Sequence, residues 1–260
     1  MSAEPTVLEA RGITVDFGGI RAVDDVTLLV RPGEVVGIIG PNGAGKTTLL
    51  NAISGLVDCE GEVFLRGQEI SRMQPYRRAR LGLGRTFQDA RLYPTMTVRD
   101  TLAAAFHASH ASGIFSEGFG LRSAAREEAR VRDEAEALCE VVDLRRYLDF
   151  RISELSFGTT RAVELAWLVA QRPSVLLLDE PASGLQQSEV RVLGPLIERL
   201  RGDSAVVVID HDVPFVSGLA HRLVALDLGA KVADGSPTEV LESTAVIRSY
   251  LGTGAYKVTT

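Results

Sequence analysis

Three short aliphatic runs leave this chain few architectures. Glu34-Val35-Val36-Gly37-Ile38-Ile39, Val175-Leu176-Leu177-Leu178 and Val206-Val207-Val208-Ile209 are continuous rather than alternating, the pattern of strands buried on both faces. Helix-compatible segments at 161–170 and 188–201 precede the second and third runs. Helices alternating with such strands imply a mostly parallel sheet with helices on its faces. Residues 6–30 are rich in Val, Ile, Thr and Leu and are broken at Gly18-Gly19 and at Arg31-Pro32-Gly33. That reads as two or three antiparallel strands with tight turns. Residues 46–53 read as a helix, 62–65 as a short strand, 222–226 and 230–233 as a strand pair, and 238–251 as a closing helix.

The middle of the chain has a different period. From 98 to about 148 the pattern is helical, with a Ser/Gly/Phe-rich interruption at 111–121. Within the helix expected at 123–142, Val131, Ala135, Leu138 and Val142 recur at spacings of four, three and four, one apolar stripe. Arg126, Glu127, Arg130, Asp133, Glu134 and Glu140 fall opposite it and read as a solvated face rather than a nucleic-acid patch. The plan is an α/β core interrupted by a helical insert near residues 93–151.

Composition narrows the function classes. The 260 residues hold one large domain, or a core carrying a smaller one. A 45% hydrophobic content excludes global disorder. With 28 Lys+Arg against 34 Asp+Glu, the net charge of -6 argues against a protein that coats nucleic acid. Cys59 and Cys139 lie far apart, without metal-ligand spacing, and read as thiols of a reducing compartment. The first twelve residues contain no apolar signal region, and no apolar run approaches the ~20 residues that span a bilayer. The expectation is a soluble, cytoplasmic chain that meets a membrane only through a partner.

Gly40-Pro41-Asn42-Gly43-Ala44-Gly45-Lys46-Thr47-Thr48 carries the strongest chemical signal. It matches G-x-x-x-x-G-K-[ST] and sits where that motif must, after a buried strand and before a helix. Glycines let backbone N–H groups wrap phosphates. The helix N-terminus adds only ~0.3–2 kcal/mol toward an anion. Lys46 therefore supplies a full charge to the β- and γ-phosphates, and Thr47 offers a hydroxyl to Mg²⁺. Asp179-Glu180 ends a buried strand, the edge at which open α/β sheets bind ligands. Asp179 suits an outer-sphere partner of Mg²⁺, and Glu180 suits a base for the attacking water. The N-K-x-D guanine-reading motif is absent from the chain, so ATP is the expected nucleotide. His107 and His110 are three apart with no third metal ligand evident, and read as surface or boundary histidines.

Further motifs carry a family resemblance. Leu155-Ser156-Phe157-Gly158-Thr159-Thr160-Arg161, placed before a helix and shortly before Asp179-Glu180, resembles the LSGGQ-type signature of ABC ATPases. Gln88 in Arg85-Thr86-Phe87-Gln88 resembles their Q-loop, and His211 in Ile209-Asp210-His211-Asp212 their switch histidine. Ser183-Gly184-Leu185 occupies the D-loop position, and Phe17 that of the adenine-stacking aromatic. Order and spacing fit along essentially the whole chain. The run from Arg85 through Leu92-Tyr93-Pro94 to Val98 looks like the branched-chain amino acid uptake ATPases within that family. Gly113-Ile114-Phe115-Ser116 and Val246-Ile247-Arg248-Ser249-Tyr250-Leu251-Gly252 are similar to the same group.

The resemblance implies a fold, a site and partners. The fold is a P-loop NTPase (RecA-like) core with an N-terminal antiparallel β subdomain at 6–92 and 152–251, an inserted α-helical subdomain at 93–151 with the signature loop 155–159 at its edge, and a tail at 252–260. Phe17, Gly40, Asn42, Gly43, Gly45, Lys46, Thr47, Thr48, Gln88, Ser156 and Gly158 would bind ATP. Thr47, Gln88 and Asp179 would serve Mg²⁺, and Glu180, His211 and Lys46 the hydrolysis. The chain would pair head to tail with a second cassette, identical or related, and its helical insert would dock integral membrane permease subunits. A substrate-binding protein would take part indirectly, and nucleic acid not at all. The expected place is peripheral, on the cytoplasmic face of the membrane. The expected work is ATP hydrolysis that powers uptake of branched-chain or other hydrophobic amino acids. The alternatives are urea or amide cargo, lipid or polysaccharide export, and a soluble or regulatory cassette. Thr159 stands where the signature usually has Gln, and Gln186 where the D-loop usually ends in Asp. Both departures lead to the expectation of an active but slow enzyme.

Overall fold

All three aliphatic runs form strands buried along their length, Val35–Ile39, Val175–Asp179 and Ala205–Ile209. The computed structural model describes residues 6–86, 92–111, 121–202 and 204–251; Gln88, the 113–116 stretch and the tail 252–260 lie outside them. In chain order the elements are β1 (Leu8–Phe17), β2 (Ile20–Val30), β3 (Val35–Ile39), α1 (Lys46–Ser54), β4 (Glu60–Leu65), β5 (Gln68–Glu69), α2 (Pro75–Arg80) and β6 (Leu83–Arg85). Then come α3 (Val98–Ala111), α4 (Leu121–Val141), α5 (Phe157–Ala170), β7 (Val175–Asp179), α6 (Gln187–Arg201), β8 (Ala205–Ile209) and α7 (Val213–Leu219). β9 (Arg222–Asp227), β10 (Ala230–Gly235), α8 (Pro237–Glu242) and α9 (Thr244–Leu251) close the series. No helix among the described residues is long and apolar enough to cross a membrane.

The chain divides into two compact units, one from Met1–Arg85, Ser174–Ser183 and Asp203–Thr260, the other from Thr86–Pro173 and Gly184–Gly202. The first unit holds two sheets. An antiparallel sheet runs in the order β2-β1-β4-β5, and a six-stranded sheet in the order β10-β9-β3-β8-β7-β6. The second is parallel except for β10, which returns antiparallel to β9. α1 touches β1 and β2 of one sheet and β7 of the other. Its Leu49, Leu50 and Ile53 are fully buried in an apolar core shared with Leu8, Ile13 and Ile38. Each such side chain contributes about 1.5–3 kcal/mol on burial. At the far end of α1, the buried Arg78 donates to the carbonyls of Ala52 and Ile53, a cation on a helix C-terminus.

Register decides where the strands end. β3 pairs with β8 from Val35↔Val206 to Ile38↔Ile209, and β7 pairs with β8 from Val175↔Ala205 to Asp179↔Ile209. Neither pairing slips, so β3, β8 and β7 finish level, and the loops after them leave from one edge. α7 packs against β3 at Gly37. A Cβ there would fall 2.4 Å from Val216 Cγ1 and 2.5 Å from Leu223 Cδ2.

The second unit gathers α3, α4, α5 and α6. Val98, Leu102 and Ala105 of α3 are buried, as are Val131 and Ala135 of α4. The α4 stripe differs from the expected one at one position. Cys139 is fully buried while Leu138 is only half-buried, because residues four apart hold the seam better than the three-four alternation read from the sequence. Burial pushes the Cys139 thiol up to about 11. On the outer face, Arg130–Glu127 and Arg132–Glu128 are solvated ion pairs, worth little to stability.

The expected closing helix at 238–251 is two helices. Ser243 takes an extended conformation after α8, and its carbonyl accepts the Ile247 N–H that opens α9. Ser and Thr compete locally for backbone hydrogen bonds and favour such breaks. β5, β6, α2 and α7 have between two and seven residues. They are too short for periodicity to mark them.

Replacing Gly37 by Ala should force β3 and α7 apart. Overpacking of this kind costs about 1–3 kcal/mol, and urea denaturation of Gly37→Ala should show a loss of that size. An unchanged midpoint would contradict the close approach.

Candidate functional site

The loop between β3 and α1 is shaped by two glycines that no other residue could replace. Gly40 has φ 151 and Gly45 φ 94, both in the region disfavoured for side chains. A Cβ would lie 2.2 Å from the Leu226 carbonyl at Gly40, and 2.2 Å from the Ala22 carbonyl at Gly45. Gly45 is the N-cap of α1 and brings no side chain to the first turn. The opening N–H groups of that helix are therefore turned toward the loop, an arrangement that favours anions. Lys46 Nζ donates to the carbonyls of Gly40, at 2.7 Å, and Pro41, at 2.9 Å. Burial lowers its pKa, while Glu180 and Asp179 nearby favour the charged ammonium. Asn42 and Gly43 are exposed at the tip, and Thr48 is half-buried.

The level strand ends bring the remaining groups to the same edge. Thr47 Oγ1 donates to Asp179 Oδ1 at 3.2 Å. Asp179 Oδ2 accepts from Arg85 Nη2 at 3.0 Å, in a pair whose side chains are 7% and 3% exposed. Glu180 follows with φ 49, and its N–H donates to the Ile209 carbonyl at 2.8 Å. A non-glycine residue in this left-handed region is strained, and such strain gathers at functional sites. The buried Asp210 ties the loops after β7 and β8 together. Its Oδ2 accepts from the Ala182 N–H at 2.9 Å and its Oδ1 from the Asp212 N–H at 3.0 Å. His211 stands exposed beside it, Nδ1 3.3 Å from Asp210 Oδ1. Phe17 is half-exposed at the tip of the β1–β2 hairpin, whose Ala22 carbonyl abuts Gly45.

The second unit carries residues 155–161, the segment that resembles a signature loop. Ser156 caps α5, its Oγ accepting the Thr159 N–H at 3.2 Å and lying 2.9 Å from Thr159 Oγ1. Thr159 thus spends its hydroxyl locally. Gly158 faces the Glu189 side chain of α6, where a Cβ would meet Oε1 at 2.2 Å. The other oxygen of Glu189 accepts the Gln186 N–H at 2.9 Å. Phe157 lays its ring against Gly184 and beneath the Arg161 guanidinium, 5.2 Å away.

Lys46, Thr47, Asp179 and Glu180 come together at one sheet edge in the first unit, with His211 on the adjacent loop. Ser156 and Gly158 belong to the second unit, and Gln88 lies outside the described residues. Sequence reasoning missed Arg85 and Asp210. An acid ending a buried strand, the sign that drew attention to Asp179, was equally present at Asp210. Arg85 sits on a three-residue strand that leaves no pattern of its own.

A strand, a glycine loop closing on a helix N-terminus with lysine and a hydroxyl, and a carboxylate at the end of a second strand of the same parallel sheet define a P-loop nucleotide-binding protein. The chain belongs to the ABC transporter family, as an ATP-binding, ATP-hydrolysing subunit: residues 23–183 match the ABC transporter family model. It is 36% identical over 249 residues to the high-affinity branched-chain amino acid transport ATP-binding protein LivG of Escherichia coli (strain K12), covering 95% of this chain and 98% of that one. It is 34% identical over 247 residues to the lipopolysaccharide export system ATP-binding protein LptB of the same organism, covering 94% and 97%. Its fold superimposes, with TM-score 0.80 and 26% identity over 95% of this chain and 99% of the other, on the crystal structure of the ADP conformation of MJ1267, an ATP-binding cassette of an ABC transporter.

Replacing Asp210 by Ala would leave the buried Ala182 N–H without its acceptor, at a cost of about 1–3 kcal/mol. Hydrogen exchange of Asp210→Ala should be faster at Ala182 than in the native chain. Equal protection would show that Asp210 does not hold the loop.

Proposed function

We propose that this chain hydrolyses ATP to drive a membrane permease for branched-chain or other hydrophobic amino acids. The observation that carries the ATPase chemistry is the convergence of Lys46, Thr47, Asp179 and Glu180 on one strand edge. The cargo rests on the near full-length likeness to LivG. The 34% identity to LptB supports a second reading, lipid or polysaccharide export by the same machinery.

Each residue has a physical role. Lys46 and the opening N–H groups of α1 bind the β- and γ-phosphates, and Gly40, Gly43 and Gly45 let the backbone close on them. Asn42 and Thr48 line that loop, and Phe17 stacks on adenine. Thr47 would offer its hydroxyl to magnesium, and Asp179, hydrogen-bonded to Thr47, would be its outer-sphere partner. Among the described residues no three His, Cys, Asp or Glu side chains group into an all-protein metal cage, and a P-loop magnesium needs none. When bound, magnesium neutralises charge on the phosphate oxygens. Glu180 takes the proton of the attacking water or aligns it, and His211 faces the γ-phosphate side. Gln88 is assigned to the magnesium by its place in the sequence alone.

Head-to-tail pairing with a second cassette, identical or related, would bring the Ser156–Gly158 segment of one chain to the nucleotide of the other. ATP then favours the closed pair and ADP does not, which is a population shift by differential binding. The helical unit docks the permease on the cytoplasmic face of the membrane, a substrate-binding protein delivers cargo, and nucleic acid has no part. Pull-down from native membranes, joined to uptake of labelled leucine in a deletion strain, tests the assignment. Recovery of a permease with lost leucine uptake supports it. Recovery of soluble partners only, or intact uptake, overturns it.

Lys46→Ala removes a charged donor worth about 1.5–3 kcal/mol per hydrogen bond, so ATP affinity should fall at least tenfold. Calorimetry that finds native affinity would sink the phosphate assignment. Glu180→Gln should keep ATP affinity and lose about 10²–10⁴-fold in turnover. Normal phosphate release by that variant would mean that the base lies elsewhere.

A further inference from the structure

Asp179 divides its carboxylate between two neighbours of different character. Oδ1 faces the Thr47 hydroxyl at 3.2 Å, and Oδ2 meets the Arg85 guanidinium at 3.0 Å. The second arm of Arg85, Nη1, donates to Ser54 Oγ at 3.0 Å. Ser54 in turn donates to the Leu50 carbonyl at 2.7 Å, so its hydroxyl is oriented to accept from Arg85. One buried guanidinium therefore spans from the last turn of α1 to the end of β7. β6 holds it there through the register Arg85↔Leu177.

We infer that Arg85 is a positioning residue for the nucleotide site: it holds Asp179 Oδ2 and so turns Oδ1 toward Thr47. The inference rests on the reading of Thr47 and Asp179 as the magnesium pair. The charge-assisted hydrogen bond fixes one carboxylate oxygen and leaves the other for Thr47. The two ends of the planar fork also set the direction of the carboxylate, because both are anchored to secondary structure. Lysine can supply the charge but not both fixed arms. This role goes beyond that of the loop, strand-end and histidine residues, none of which determines which Asp179 oxygen faces Thr47.

The test is binding of a fluorescent ATP analogue to the full chain, titrated with magnesium and repeated in EDTA. Loss of such an outer partner typically weakens metal affinity about 10–100-fold. Arg85→Met should raise the magnesium concentration for half-maximal tightening by that factor, and leave metal-free affinity unchanged. Arg85→Lys should recover part of the loss, and Ser54→Ala should show a smaller one. Thermal melting checks that each variant folds. A folded Arg85→Met with native magnesium dependence overturns the inference, and so does an equal loss of affinity in EDTA, which would make Arg85 a scaffold residue only. If Arg85→Met does not fold, Arg85→Lys decides: native magnesium dependence there overturns the positioning role, and a weakened one supports it. A native chain whose affinity ignores magnesium fails differently, because it overturns the magnesium reading of Asp179 itself.

Discussion

Leu49, Leu50 and Ile53 anchor α1 in the core shared by the two sheets, and that anchoring decides where Lys46 and Thr47 can be. The helix touches β1 and β2 on one side and β7 on the other. Its N-terminus is thereby held where β3 ends, and its last turn where Arg78 and Arg85 reach it. The loop 40–45 has to close between two buried elements that do not give. That is why backbone carbonyls of Leu226 and Ala22 come so near Gly40 and Gly45 that no side chain fits. Packing in the apolar core thus sets the geometry of the polar edge.

The polar edge is built from strand ends more than from side-chain reach. Because β3, β8 and β7 pair without slippage, the residues that follow them emerge side by side. Buried charges at such an edge are costly unless matched. Asp179 is matched by Arg85 and Thr47, and Asp210 by backbone N–H groups. Both acids are buried, yet they do different work. Asp179 presents an oxygen to the phosphate loop, while Asp210 spends both oxygens on fixing backbone. Glu180 is half-buried, with a strained backbone whose N–H donates to the Ile209 carbonyl, and its charge favours the Lys46 ammonium.

The second unit follows simpler rules. Residues four apart on α4 form a seam against α3, and charged residues take the outer face. Its signature segment is braced locally by Ser156 on the Thr159 N–H, and by Glu189 packed where Gly158 leaves room. Thr159, unusual for the family's signature, closes a hydroxyl contact with Ser156 instead of extending outward. The segment is thus braced from within by its own hydrogen bonds, with Glu189 packed beside Gly158.

Much of this was legible in the residues alone. Continuous aliphatic runs announce buried parallel strands, and a Gly-rich loop ending in Lys46-Thr47 announces a phosphate site, because both depend on local pattern and on chemistry few residues can supply. The family was readable for the same reason. Tertiary structure alone decided the rest. Arg85 becomes the partner of Asp179 only because β6 pairs with β7, ninety-odd residues later in the chain. Asp210 becomes the tie between two loops only because β8 lies between β3 and β7. Cys139 rather than Leu138 is buried in the seam, a choice between adjacent residues that helix periodicity leaves open. Local periodicity and motif spacing are properties of adjacent residues. The partner of a buried charge is a property of which strands meet, and that is settled by the packing of the whole sheet.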